Sequence, residues 1–91
     1  MLKLDELQDP ESCWNRAHDN EMVFAILGRD AAAPTTIRFW AWERIRLGKN
    51  LPTDLQILNA LSAADRIEND HRVAAVMAKS AGKAAGRPEW P

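Results

Sequence analysis

Two segments with the apolar spacing of α-helices follow each other in the middle of the chain, at residues 34–47 and 54–69. In the first, Pro34 suits the opening turn of a helix and Gly48 suits its end, because glycine readily adopts the left-handed conformation that closes helices. The connection GKNLP leads into the second segment, whose first residues fit the capping-box pattern of Thr followed three positions later by Gln. The sequence therefore predicts two consecutive helices.

The rest of the chain contains one segment that is hard to assign. Asp9 and Pro10 predict the start of a helix that runs to about His18. The apolar run in EMVFAILG, residues 21–28, fits a strand or a buried helix, and its periodicity does not decide between them. Because a lone strand would find no partner for its backbone hydrogen bonds, we predict a helix here, closed by Gly28.

These elements predict an all-α fold, a small bundle of four or five helices in which the aromatic helix 34–47 lies centrally against helix 54–69. Residues 1–80 are expected to form a single helical domain. Residues 81–91 contain two glycines and two prolines and are expected to form a flexible C-terminal tail. After Asn69 the apolar positions move to another face of an ideal helix. Either the helix breaks there, or its last turns face something else.

The bulk composition is that of a globular protein with a small core. The chain has 91 residues, of which 46% are hydrophobic and 27% charged, and its net charge is −1. A domain of this size buries only about 60–65% of its unfolded surface. No segment is apolar enough to be a signal peptide or a membrane span, and Cys13 has no second cysteine to pair with. We therefore expect a cytoplasmic protein that does not bind membranes.

The two sides of the aromatic helix differ in character. At about 100° per residue, one broad arc is apolar and is predicted to face the core; it contains Ile37, Trp40, Ala41, Ile45 and Leu47. The opposite side carries two aromatic rings among charged residues. We predict a partner-binding surface there, formed by Arg38, Phe39, Trp42, Arg46 and Lys49. The alternative is that the predicted helix 21–28 covers this side and makes Phe39 and Trp42 part of the core.

Arg44 falls in the middle of the predicted core arc. A buried guanidinium without a carboxylate partner costs several kcal/mol, so an acidic residue should meet it. Glu68 lies within the apolar arc of helix 54–69, and we predict a structural ion pair between Arg44 and Glu68. The alternative is that Arg44 extends to solvent with only its stem buried.

The patterns that would indicate an enzyme are weak. Glu68 and His71 have a spacing used by metal ligands on a helix, but such sites need further glutamates and a second motif, which the chain lacks. Cys13 and His18 lack a third group to orient them as a nucleophilic pair. Neither a zinc pattern nor a phosphate-binding loop is present. We predict no metal, no cofactor and no catalytic residues.

Nucleic-acid binding remains an alternative function. Helices 34–47 and 54–69 superficially resemble a helix-turn-helix, but acidic residues in the second helix would repel phosphate. Binding of single strands is more plausible, since bases stack on aromatic side chains flanked by arginines. This alternative uses the same arginine and tryptophan face of helix 34–47.

Residues 13–68 resemble a group of small uncharacterised proteins encoded by phages and prophages of proteobacteria. The stretches that carry the likeness are EMVFAILGRDAAAPTTIRFWAWERIRLGKN and DLQILNALSAADRIE. The matching positions are Phe24, Arg29, Asp30, Ala33, Pro34, Ile37, Trp40, Arg44, Ile45, Gly48, Asp54, Ile57 and Ala64. The resemblance implies a phage accessory protein in a bacterial cytoplasm. Because such proteins often block defence systems or transcription machinery, we predict a non-enzymatic protein that binds a host bacterial protein and modulates or inhibits it. Homodimer formation is a further expectation.

Overall fold

The computed structural model describes residues 2–80, and these residues contain helices and no strands. The helices are α1 (Lys3–Gln8), α2 (Cys13–Arg16), α3 (Ala33–Arg46) and α4 (Leu55–Ser80). The predicted all-α class is therefore confirmed. The predicted flexible tail, residues 81–91, lies outside the described residues.

The two long helices, α3 and α4, pack against each other as an antiparallel hairpin. Among residues 2–80, four apolar residues are fully buried, and they are Ala33, Ala41, Ile57 and Ala64. Three of the four are alanines, so the two helix backbones can approach closely but little apolar surface is removed from water. Ile57 is the only large side chain among them. The core is small, as the length of the chain predicts.

The connection between α3 and α4 is held by a polar network. Gly48 has a φ angle of 73° and follows the end of α3, as the sequence predicts. Asn50 accepts a hydrogen bond from Arg44 Nε at 2.7 Å and donates one to Asp54 Oδ2 at 3.1 Å. The same Asp54 oxygen accepts from the backbone N–H of Leu51 at 2.8 Å. These bonds fix the path of the chain into α4.

Residues 22–27 do not form the predicted helix but have no regular secondary structure, and we call them the irregular segment. The prediction was wrong because it assumed that this backbone needs hydrogen-bonded partners inside the protein. The segment lies at the surface, with Met22 98% and Phe24 87% exposed, so water can satisfy its backbone groups. It ends at Gly28, whose carbonyl oxygen lies 2.7 Å from His71 Nε2 on α4.

The N-terminal helices are shorter than expected. The predicted helix from Pro10 to about His18 is reduced to the single turn of α2, which begins after Ser12, and α1 was not predicted. The Asn15 side chain accounts for the short turn. Its Nδ2 donates to three backbone carbonyls at the end of α1 and beyond, those of Glu6, Leu7 and Asp9. These bonds hold α2 against α1.

The predicted bundle of four or five helices with a central aromatic helix is not what the described residues form. Helix α1 packs against α2 and α3 packs against α4, and within residues 2–80 no other pair of helices is in contact. Helix α4 continues without a break through Asn69. The predicted break near Asn69 is therefore absent. The other alternative holds, in which the last turns of the helix face something other than the core.

Candidate interaction surface

Phe39 and Trp42 lie together on the side of α3 that faces away from α4. They are three residues apart, so they occupy neighbouring positions on one helix face. Phe39 is 69% exposed and Trp42 is 58% exposed, so the irregular segment 22–27 does not cover them. We call these two residues, with Arg46 one turn beyond Trp42, the aromatic face. Phe39 and Trp42 were predicted to belong either to the core or to a partner-binding surface. Within residues 2–80 they are not part of the core.

Arg38, which was predicted to bind a partner, is bound within the hairpin instead. Its Nη1 donates to Glu68 Oε2 at 2.8 Å, and its Nη2 donates to Asp65 Oδ1 at 2.7 Å. This guanidinium therefore joins α3 to two successive turns of α4. The predicted pair between Arg44 and Glu68 is wrong, because Glu68 receives Arg38.

Arg44 and Trp40 form a second cluster on the other side of α3. The Arg44 guanidinium carbon lies 5.9 Å from the centre of the Trp40 ring, at the distance of a cation–π contact. With its Nε bound to Asn50, the arginine remains partly accessible rather than buried. The outcome is close to the predicted alternative, in which the stem is covered and the charged end reaches outward.

The other predicted basic residues lie at the end of α3. Arg46 forms an ion pair with Glu43 on the preceding turn. Lys49 is exposed, and its backbone N–H donates to the carbonyl of Arg44 at 3.0 Å in the turn that follows the helix. Two of the three predicted basic residues, Arg38 and Arg46, therefore have carboxylate partners within the protein.

Both ion pairs shift the pKa values of their members in the expected directions. Hydrogen bonds from Arg38 lower the pKa of the Glu68 carboxyl, and the attraction between the charges adds to this effect. The bonds to Glu68 and then Asp65 raise the pKa of Arg38 further above its ordinary value. Arg46 likewise lowers the pKa of Glu43. These shifts favour the charged forms of Arg38, Glu68, Glu43 and Arg46.

The sequence did not reveal an apolar groove on the opposite side of α3. The groove has a volume of about 320 Å³ and lies between the irregular segment and α3. It is lined by Phe24, Ile26, Thr36, Ile37 and Trp40. Trp40 was predicted to face the core, but it is 40% exposed because α4 offers it no cover. A more polar depression of about 450 Å³ lies beside Cys13, where Arg16 Nη2 is 3.6 Å from the sulfur.

The residues considered for metal binding have other partners. Glu68 binds Arg38, and His71 binds the carbonyl of Gly28. In the part of the chain that the structure describes, no three potential metal ligands are grouped together.

Comparison of the chain with protein-family models, with curated proteins and with solved structures finds no match in any of the three. Among residues 2–80, no helix has both the length and the apolar character required to cross a membrane. The residues of the candidate surface are therefore identified from the structure of this chain alone.

The Arg38–Glu68 pair predicts a pH dependence of stability. Because the folded-state pKa of Glu68 is lowered, its contribution is present above the unfolded-state pKa, about 4.3, and is lost as the pH falls through the folded value. We expect the melting temperature of the parent protein to fall more steeply below pH 5 than that of a Glu68→Gln variant. Melting curves from pH 6 to 3 at low salt measure this.

Glu11→Gln is the control, because it removes an exposed carboxylate that lies outside the α3–α4 hairpin. Identical slopes for the parent and Glu68→Gln would contradict a stabilising role for the pair. Since both partners are accessible to water, the difference should shrink at high salt.

Proposed function

We propose that this protein is a non-enzymatic interaction protein that uses the aromatic face of α3 to bind another protein. The observation that supports the proposal is the exposure of Phe39 and Trp42 side by side on one helix face. Large aromatic side chains that are mostly exposed to water are unfavourable in a small monomer, and contiguous apolar patches mark binding sites. The proposal gives these rings a partner to bury them.

The charges around the rings favour a protein partner over a nucleic acid. Arg38 and Arg46 have their charges offset by Asp65, Glu68 and Glu43. Arginines neutralised in this way gain little from displacing counterions on a phosphate backbone, which is the main source of affinity for nucleic acids. A tryptophan beside an arginine is instead typical of the residues that dominate binding energy in protein interfaces.

The resemblance over residues 13–68 supplies the proposed biological setting. We place the protein among phage accessory proteins that act in the bacterial cytoplasm, and we propose that its partner is a host protein whose activity it inhibits, such as a defence or transcription factor. In this setting α3 acts as a rigid support, since Ala33 and Ala41 fix its other side against α4. The aromatic face can then bind without a change in the fold.

Replacing Trp42 by Ala tests this function. We expect the variant to stay folded, because its ring is more than half exposed, and to lose partner binding at least a hundredfold, as for other central interface tryptophans. Tagged parent and variant proteins are incubated with bacterial lysate, and the captured proteins are identified by mass spectrometry. A captured protein is then purified and its affinity for both chains is measured.

Trp14 provides a matched control, since it is 55% exposed but lies on α2. Trp14→Ala should retain the partner that Trp42→Ala loses. Equal loss with both variants, or loss of the helical circular dichroism signal in Trp42→Ala, would contradict the proposal. Binding of single-stranded DNA that quenches tryptophan fluorescence, and is weakened by salt and by Trp42→Ala, would support the nucleic-acid alternative instead.

A further inference from the structure

Helix α4 carries a continuous exposed stripe on the side opposite its buried residues. Ile57 and Ala64 define the side that packs on α3. Spacings of three and four residues place another set of positions along the far side of the helix. We call this set the outer stripe; it consists of Leu55, Leu58, Ser62, Arg66, Asn69, Val73 and Val76. All seven residues are exposed.

The ends of the outer stripe are apolar and its middle is polar. At one end Leu55 is 71% and Leu58 is 50% exposed, and at the other end Val73 is 47% and Val76 is 59% exposed. From Leu55 to Val76 the stripe is about 31 Å long at the rise of an α-helix. Helix α4 continues well past the start of α3, so the second apolar end projects beyond the hairpin.

Two copies of the outer stripe that run in opposite directions match each other in their order of apolar and polar residues. When a second α4 lies antiparallel with the two-fold axis between residues 65 and 66, Leu55 faces Val76 and Leu58 faces Val73. In the middle, Ser62 faces Asn69. Every apolar residue of one copy thus meets an apolar residue of the other, and both polar residues meet each other, as an isologous interface requires.

The charged residues at the axis also match in this arrangement. Asp65 of one copy faces Arg66 of the other, and the symmetry repeats the pair. Asp65 can accept this bond because Arg38 uses only its Oδ1, and its side chain is 76% exposed. Parallel helices in register would instead place Asp65 against Asp65 and Arg66 against Arg66. The charges therefore select the antiparallel pairing.

We propose that the outer stripe binds a second copy of this chain, so that two helical hairpins associate through antiparallel α4 helices. The dimer contains four long helices, which gives a more substantial helical bundle than one chain forms alone. The aromatic face of α3 lies on a different helix and stays accessible in this assembly. The inference therefore goes beyond the proposed partner binding and does not depend on it.

The available area sets the expected strength of the dimer. Burying a Leu or Val side chain removes on the order of 100 Å² of surface from water, and these four are already about half covered. Both copies together thus bury roughly 400–500 Å² of apolar side chain, and the polar centre adds a similar amount. The total lies at the low end of specific interfaces, so we expect a dissociation constant of about 1–100 μM.

Sedimentation equilibrium of the full chain between about 1 and 500 μM tests the assembly. We expect a shift from monomer to dimer, and a Val73→Glu variant should raise the dissociation constant at least tenfold by placing a carboxylate against Leu58. Val23→Glu is the matched control, since Val23 is 49% exposed but lies in the irregular segment. A chain that stays monomeric throughout, or equal effects of both variants, would overturn the proposal.

Cysteine cross-linking tests the register. In a Cys13→Ser background, one chain carries Ser62→Cys and a second carries Asn69→Cys. We expect disulfide formation at concentrations near the dissociation constant when the two chains are mixed, and much less in either chain alone, because position 62 faces position 69 only across the axis. Cross-linking that is equally fast within one variant, or absent on mixing, would overturn the pairing.

Trp42→Ala separates this proposal from the function of the aromatic face. The variant should dimerise with the parent affinity even though it loses the host partner. Loss of dimer mass in Trp42→Ala would place self-association on α3 and overturn the assignment to α4.

Discussion

Replacing Ile57 by Ala should remove a large share of the free energy of unfolding of this protein. Among residues 2–80, Ile57 is the only large side chain that is fully buried, and it lies in the first turn of α4 where this helix meets α3. Truncating a buried isoleucine costs about 2–5 kcal/mol, because the lost burial is accompanied by a cavity. A domain of this size has a total stability of about 5–10 kcal/mol, and a core made mostly of alanines places it at the lower end.

Urea unfolding followed by circular dichroism measures the effect. Leu51→Ala is the control, because Leu51 precedes α4 and is 66% exposed. We expect the control to lose less than about 1 kcal/mol. Should Ile57→Ala unfold within about 0.5 kcal/mol of the parent, Ile57 would not be the anchor of the hairpin, and other contacts would have to hold α4 on α3.

Replacing Ala41 by Leu should also destabilise the hairpin, by adding volume to the core, whereas Ile57→Ala removes volume from it. Ala41 is fully buried on α3, and the bonds from Arg38 to Asp65 and Glu68 place it nearly level with Ala64, which is also fully buried. Two alanines facing each other allow close approach of the helices, and the larger side chain has no space between them. Overpacking of this kind costs about 1–3 kcal/mol, and more where backbones must separate.

Ala74→Leu on the exposed part of α4 makes the same chemical change without a packing partner. Its stability should stay within about 0.5 kcal/mol of the parent, since leucine and alanine are both strong helix formers. If both variants had the melting temperature of the parent, the two helices would be farther apart at Ala41 than the burial of Ala41 and Ala64 indicates. Thermal melting of the two variants side by side is sufficient for this comparison.

Glu68 pairs with Arg38 and not with the predicted Arg44. The register of the two helices decides which arginine forms this ion pair. Both arginines lie on α3, and Glu68 was a reasonable partner for either by charge alone. In an antiparallel hairpin, however, Arg38 lies level with Asp65 and Glu68. Arg44 is six residues farther along α3, and so lies about 9 Å farther from Glu68 along the helix axis than Arg38 does. Counting residues outward from the short connection between the two helices is enough to favour Arg38 over Arg44 as the partner of Glu68.

The sequence alone determined the helical class, the extent of α3 and its end at Gly48. These features follow from local chemistry, namely apolar residues at helical spacing and a glycine that adopts a positive φ angle. It also determined that Phe39 and Trp42 lie on the side of α3 opposite the apolar arc, because side-chain direction on a helix is fixed by position.

Only the tertiary structure decided what covers each face. Residues 22–27 have an apolar run that suits several conformations, and the structure places Phe24 and Ile26 beside α3 without regular secondary structure. Helix α4 stays helical beyond Asn69, although no helix among the described residues packs on its outer side. Local sequence sets the conformation of each segment, but the contacts between segments far apart in the chain decide which surfaces are left for a partner.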